Sequence, residues 1–215
     1  SYDSEFYNVL SEDGFELWQS VMEYYPLENN ENDPVLQDLI FNKFKLIYEP
    51  LLNTTEILPL ILSIVRSYLI IMPIQIILSN HEMNELVKSV LAAASKNISY
   101  MRDDSLDLVL SIIDLLFVKT YEFYDSNELN NSKDIVKSFY ELMVNSGIFE
   151  QLVMVIADQD QNSILTINKL ILIVSRFFFS NSKIVSDILW NVVGDVNILK
   201  QFFNSWLINT GNIFD

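Results

Sequence analysis

Two kinds of apolar segment alternate along this chain, and no other feature restricts its fold as strongly. One kind opens near Pro34, His81, Lys133 and Lys183, the other near Glu12, Thr55, Ser105 and Ser163, so each returns roughly every 45 to 50 residues. Within the segments apolar residues step by three and four, as in Leu36, Leu39, Ile40, Phe44 and Ile47, or Leu86, Val87, Val90, Leu91 and Ala94. That spacing lines one face of a helix. The stretches Ile57–Ile71, Leu106–Tyr124 and Ile164–Phe179 are apolar on nearly every side. A helix held between two neighbours and its own partner requires this pattern.

Composition narrows the alternatives. Half of the 215 residues are hydrophobic, with only 4 Gly and 5 Pro, too few turn residues for a sandwich or barrel. No Gly/Ser/Pro-rich linker interrupts the chain. The expected fold is therefore all-α, an α-α superhelix of the HEAT-repeat type with about four helix pairs, forming one array over residues 1–215. The start at Ser1-Tyr2-Asp3 without Met and the end at Asn212-Ile213-Phe214-Asp215 look like cuts, so a segment of a longer solenoid is expected.

Boundary chemistry locates the helices. Pro34 suits a first helical turn, where a missing N–H costs nothing. Ser79 with Glu82 reads as a capping box before His81–Asn97, and Asp104 or Ser105 as the cap of the next helix. Gly147, Gly194 and Gly211 suit breaks after helical segments, and Pro50 predicts a kink or early stop. The stretch from Ile57 to Leu78 is long and apolar enough to span a bilayer. Arg66 near its centre and Pro59 and Pro73 near its ends favour a buried helix and no membrane. No signal peptide is visible, because Asp3, Glu5, Glu12 and Asp13 interrupt the first apolar residues.

The formal charge of -16 and pI near 4.3 disfavour nucleic acid, which needs clustered Lys and Arg, and suit a basic protein partner. With no cysteine there is neither a disulfide nor a thiolate centre. The sole histidine, His81, lies among polar residues at a helix start, and no phosphate loop or nucleophile elbow occurs. Asp103/Asp104 and Asp158/Asp160 read as solvated loop carboxylates with too few oxygens for calcium. No catalytic residue, cofactor or metal ligand is assigned. The triplets at Asn53, Asn97 and Asn130 match the glycosylation pattern at a frequency expected by chance in an Asn-rich chain. The aromatic clusters, including Phe177-Phe178-Phe179 and Phe202-Phe203, are read as core.

Two acidic stripes remain. Glu12, Glu16, Gln19 and Glu23 step along one helix face, and Asp104, Asp107, Ser111 and Asp114 along another of the same class. If that class lines the concave surface, Glu12, Glu16, Glu23, Asp104, Asp107 and Asp114 are the candidate contacts for basic cargo. Arg66, Lys169 and Arg176 lie on the intervening helices of the class, so that surface should be mixed in sign, with pairing between repeats and a buried partner for Arg66.

At the N-terminus, Val9-Leu10-Ser11-Glu12-Asp13-Gly14-Phe15-Glu16-Leu17-Trp18 resembles a segment from the C-terminal half of importin-β superfamily receptors, with the Glu-Asp-Gly-x-x-Leu-Trp pattern of the importin-11 branch. Leu51-Leu52 and then Thr55-Glu56 follow in the same order as in those receptors. The resemblance implies a nuclear transport receptor that carries protein cargo through the pore, with weak contacts to Phe-Gly nucleoporins and control by Ran-GTP. In that family the main Ran contacts lie in the N-terminal arch, so Ran-GTP is a partner of the full-length receptor. Leu17 and Trp18 would serve packing, and localisation would be nucleus, cytoplasm and nuclear pore. A HEAT or armadillo scaffold of a trafficking or chromatin complex is the alternative.

Overall fold

The computed structural model describes residues 13–22, 24, 38–126, 131–158 and 164–213. Among them there are helices and no strands. In chain order these are α1 (13–22), α2 (38–51), α3 (Leu58–Ile71), α4 (Ile74–Ser79), α5 (His81–Asn97), α6 (Asp103–Ser126), α7 (Asn131–Asn145), α8 (Ile148–Ala157), α9 (Ile164–Ile188, continued as a π-type turn to Val193) and α10 (Val196–Ile213). They form four pairs. The first limbs are α1, α3, α6 and the part of α9 before Asn181, and α3, α6 and α9 pack in succession. The second limbs stack as a parallel layer in which α5 meets α8 and α8 meets α10. The chain is the all-α helix-pair solenoid that its periodicity demands.

The second limbs depart from single helices. In the last three pairs each is broken in two: α4 and α5, α7 and α8, and the half of α9 beyond Asn181 with α10. Asn80 and Gly147 make the first two breaks and Gly194 the third, while Asn181 parts the two limbs of the last pair. Asn80 is extended and its side chain accepts from the amides of Glu82 at 2.9 Å and Met83 at 3.0 Å. It takes the capping role that the sequence suggested for Ser79, since an Asn carbonyl one residue nearer the helix reaches the second and third amides directly. Gly147, at φ +72°, turns α7 into α8 in a left-handed conformation that costs a side-chain-bearing residue about 1 kcal/mol or more. Asn181 leaves helical geometry inside α9, and its Oδ1 accepts from the Ile184 amide at 3.2 Å.

Because α6 is 24 residues long against 14 for α3, the first limbs open at Leu58, Asp103 and Ile164, intervals of 45 and 61 residues. The second interval exceeds the expected period for this reason. Gly194, with φ +62°, precedes α10 as expected, but α10 runs through Gly211 to Ile213. A single helical glycine costs only about 1 kcal/mol, which the packing of Phe202 and Trp206 can outweigh. Asp103 and Asp104 are not in a loop, and Asp104 Oδ1 accepts from the Ser105 amide at 2.9 Å. They occupy its first turn, where carboxylates face the positive helix end. Pro34, Leu36 and Asp160 lie outside the described residues.

The apolar stretch Ile57–Leu78 is not one span. Met72 is extended, as a residue preceding proline tends to be, and Pro73 starts α4. Ile61, Leu62, Ile64, Val65, Tyr68 and Leu69 of α3 are fully buried in the stack. Among the described residues one helical run, Ile164–Val193, is long and apolar enough to cross a membrane, but it bends at Asn181 and packs on α6, α8 and α10.

Aromatic clusters join the layers, with Phe177 and Phe202 buried as expected, although Phe179 and Phe203, also read as core, are exposed. Phe44 meets Phe15, Trp18, Tyr48 and Tyr68, with ring centroids 5.2 to 6.2 Å apart. Phe177 gathers Phe117, Phe139, Tyr140 and Phe149 from three other helices. Each buried ring contributes about 1.5 to 3 kcal/mol of burial energy. Trp18 has the packing role expected of it, its indole N–H donating to the Tyr68 hydroxyl at 2.5 Å, whereas Leu17, given the same role, is 68% exposed on the solvent side of α1. Ile47, expected on the inner stripe of α2, is exposed while Tyr48 faces inward.

Candidate functional site

Helix α6 carries Asp104, Asp107, Ser111 and Asp114 at steps of three and four, so all four share one face. The stack brings that face against α3 on one side and α9 on the other. Lys169 Nζ lies 2.6 Å from Asp107 Oδ1, and the Arg176 guanidinium pairs with Asp114. The partners stand seven residues apart on both helices, two turns or about 10.5 Å. Between them, on the other side, Arg66 Nε donates to Ser111 Oγ at 2.7 Å. Three first limbs are thus joined by polar rungs across the repeat boundaries.

The pairing expected between repeats is present for Lys169 and Arg176. Arg66 differs: among the described residues it meets a hydroxyl and no carboxylate within ion-pair distance. The side chains of Lys169 and Asp107 are 28% and 55% exposed, so their pair is screened and worth only about 0.2 to 1 kcal/mol.

The other predicted contacts are spread more widely. Glu16 is exposed on α1, and Asp104 is exposed with Arg102 3.5 Å away. Glu12 and Glu23 lie outside the described residues. The structure therefore brings Asp104, Asp107 and Asp114 together on one helix and places Glu16 two first limbs away. His81 is exposed at the start of α5. Among the described residues no group of three or more His, Cys, Asp and Glu could hold a metal ion.

One residue of this region escaped the sequence reading. Lys119, further along α6, donates from Nζ to the carbonyls of Ile70 at 2.9 Å and Met72 at 2.8 Å. These are carbonyls that the end of α3 leaves without helical partners. Burial pushes the Lys119 ammonium below its ordinary pKa, and nearby Glu122 opposes the shift. Burial also raises the phenols of Tyr68 and Tyr140, and pushes Tyr48 up to about 12 with help from Glu49 and Glu85.

A family model described as importin-11-like, TPR repeats, matches residues 1–215. The intervals between first limbs exceed the TPR repeat of about 34 residues, and both repeat types are stacked helix pairs. The importin beta-like protein KAP120 of Saccharomyces cerevisiae is 29% identical over 176 residues, which are 81% of this chain and 15% of that protein. The chain thus spans a small part of the length of the curated relative it matches. No solved structure matches it. Matched by the family model from its first residue to its last, this stack of helix pairs belongs to the importin-11-like branch of the importin-β superfamily.

Proposed function

We propose that the chain is a segment of a nuclear transport receptor, one continuous array within a longer solenoid, that binds protein cargo through its curved helical surface and carries out no catalysis. The observation that carries this reading is the family match across residues 1–215. Basic segments of cargo would meet the acidic first limbs at Glu12, Glu16, Glu23, Asp104, Asp107 and Asp114. Of the four that are described, Glu16 and Asp104 are exposed, Asp104 beside Arg102, and Asp107 and Asp114 hold Lys169 and Arg176. Cargo contact at Asp107 and Asp114 proceeds by sharing or exchange with those cations. Phe-Gly nucleoporins, and Ran-GTP for the full-length receptor, are the further partners, with residence in nucleus, cytoplasm and pore.

The test is binding of the chain to a basic nuclear protein at two salt concentrations, in the wild type and in a Glu16→Lys/Asp104→Lys variant. Both positions are exposed, so the variant should stay folded. Binding that weakens with salt and is lost in the folded variant supports the reading. Unchanged binding in the variant removes these residues from it. Weak direct binding to Phe-Gly peptides separates a transport receptor from a scaffold, for which such binding has no use.

A further inference from the structure

Helix α6 has a first limb packed on either side, α3 and α9, so its solvent face lies inside the array and away from the first and last helices. Along that face the charges alternate. Asp107 comes first, Arg66 reaches in from α3 at Ser111, and Asp114 follows. Lys169 and Arg176 are each bound at Oδ1 of their aspartate, and the side chains of Asp107 and Asp114 are still 55% and 37% exposed. A carboxylate has about four lone-pair sites, so each keeps room for a second cation.

Arg66 is the odd member of the row. Ser111 is the one residue that its guanidinium bonds among the described residues, through Nε at 2.7 Å. A hydroxyl fixes the guanidinium without neutralising it, whereas the carboxylates at 107 and 114 neutralise their partners. Arg66 is partly exposed, and the buried side-chain atoms that lack a partner are Asn168 Oδ1 and Ser205 Oγ, so its terminal nitrogens open to solvent. With Nε engaged, those two nitrogens form the end-on fork that matches a carboxylate.

Asp107, Ser111 and Asp114 are spaced about 6 and 4.5 Å along the α6 axis. Alternate side chains of an extended segment stand about 6.6 to 6.8 Å apart on one side, close to that spacing. The row from Asp104 to Asp114 is polar, so an amphipathic helix finds no apolar seat on it. We propose that this face binds an extended segment of a partner protein in which one carboxylate stands between two basic residues, each two positions away. Arg66 takes the carboxylate, and Asp107 and Asp114 take the cations. The inference rests on the cargo reading above and narrows it, since Arg66 accepts a segment of alternating charge and repels a uniformly basic one.

Two peptides test it, Lys-Ser-Glu-Ser-Lys and Lys-Ser-Lys-Ser-Lys, each with Gly-Ser flanks and blocked ends. They are titrated into the chain and into its Arg66→Gln variant, with the backbone amide shifts of α6 as the readout and circular dichroism as the check on folding. The variant should bind the alternating peptide about fivefold more weakly and the all-lysine peptide more tightly. Removing a positive charge from an acidic chain would by itself strengthen both, because both peptides are net positive, so opposite signs mark a carboxylate seated on Arg66. If the two affinities move in the same direction, or neither moves, the inference is overturned while the cargo reading stands on binding of the basic nuclear protein. If neither peptide shifts the α6 amides of the wild type, the inference also falls, and the Glu16→Lys/Asp104→Lys comparison decides the cargo reading separately.

Discussion

Tyr68, buried under the rings of Trp18 and Phe44, shows how much a single polar atom in this core depends on one partner. Its hydroxyl receives the Trp18 indole N–H, and burial still holds its pKa above the ordinary value near 10. Tyr140 is raised in the same way, with the hydroxyl of Tyr121 3.2 Å away. An acid whose folded pKa is raised keeps its proton in the native state after the unfolded chain has lost it. Its contribution is therefore complete below about pH 10 and is lost as pH rises through the folded values, with a slope of up to about 1.4 kcal/mol per unit for each phenol. Urea unfolding midpoints should stay level from neutral pH to about pH 9 and fall steeply above pH 10. Phenolate absorbance should appear together with unfolding, and Tyr68→Phe should reduce the slope. Full ionisation of these phenols in a native chain would contradict the assignment. The family resemblance implied a packing role for Trp18, but the hydroxyl that it meets lies 50 residues away, where no local pattern points.

The helices were legible where a periodic apolar face defines them and illegible where a distant side chain ends them. His81–Asn97 could be read to the residue because Met83, Leu86, Val87, Val90 and Leu91 repeat at helical spacing and a capping residue precedes them. The break between α3 and α4 was readable from Pro73, yet its geometry depends on Lys119, which comes 47 residues after the second carbonyl it binds. The division of α7 from α8 was marked by Gly147, whereas the kink in α9 rests on Asn181, one of many asparagines and without a distinctive local signal. Replacing Lys119 by Met keeps the apolar stem and removes the charge that caps α3. The loss should be about 1 to 2 kcal/mol in equilibrium denaturation, the worth of a charge-assisted bond at a partly buried helix end. Hydrogen exchange should speed most at Ile71 to Ile77, and uniform acceleration along the chain would argue that Lys119 acts through general packing instead.

At the scale of the array, the alternation of limbs was legible because every pair must bury the face that its neighbour leaves exposed, and this leaves a period in the sequence. The rungs between first limbs follow from the same alternation: Asp107 and Asp114 on α6 and Lys169 and Arg176 on α9 share a limb class, and stacking brings them together across 62 residues. What the sequence could not supply was that Arg66 ends on a serine, since α3 offers no clue to which residue of α6 will stand opposite. These rungs are exposed enough that each is weak, so their collective effect is on register more than on stability. Asp107→Lys sets two ammonium groups against each other across the boundary between repeats, and the double variant Asp107→Lys/Lys169→Asp restores the pair with its polarity reversed. The single change should lower the melting temperature by about 2 to 4 °C, corresponding to roughly 1 kcal/mol in a chain of this size. The double variant should recover most of that loss at low salt, and the difference between the two should shrink as salt screens both the repulsion and the restored attraction. If the double variant is no more stable than Asp107→Lys, the 2.6 Å contact does not couple the repeats, and their register is set by the apolar packing of α6 on α9 alone.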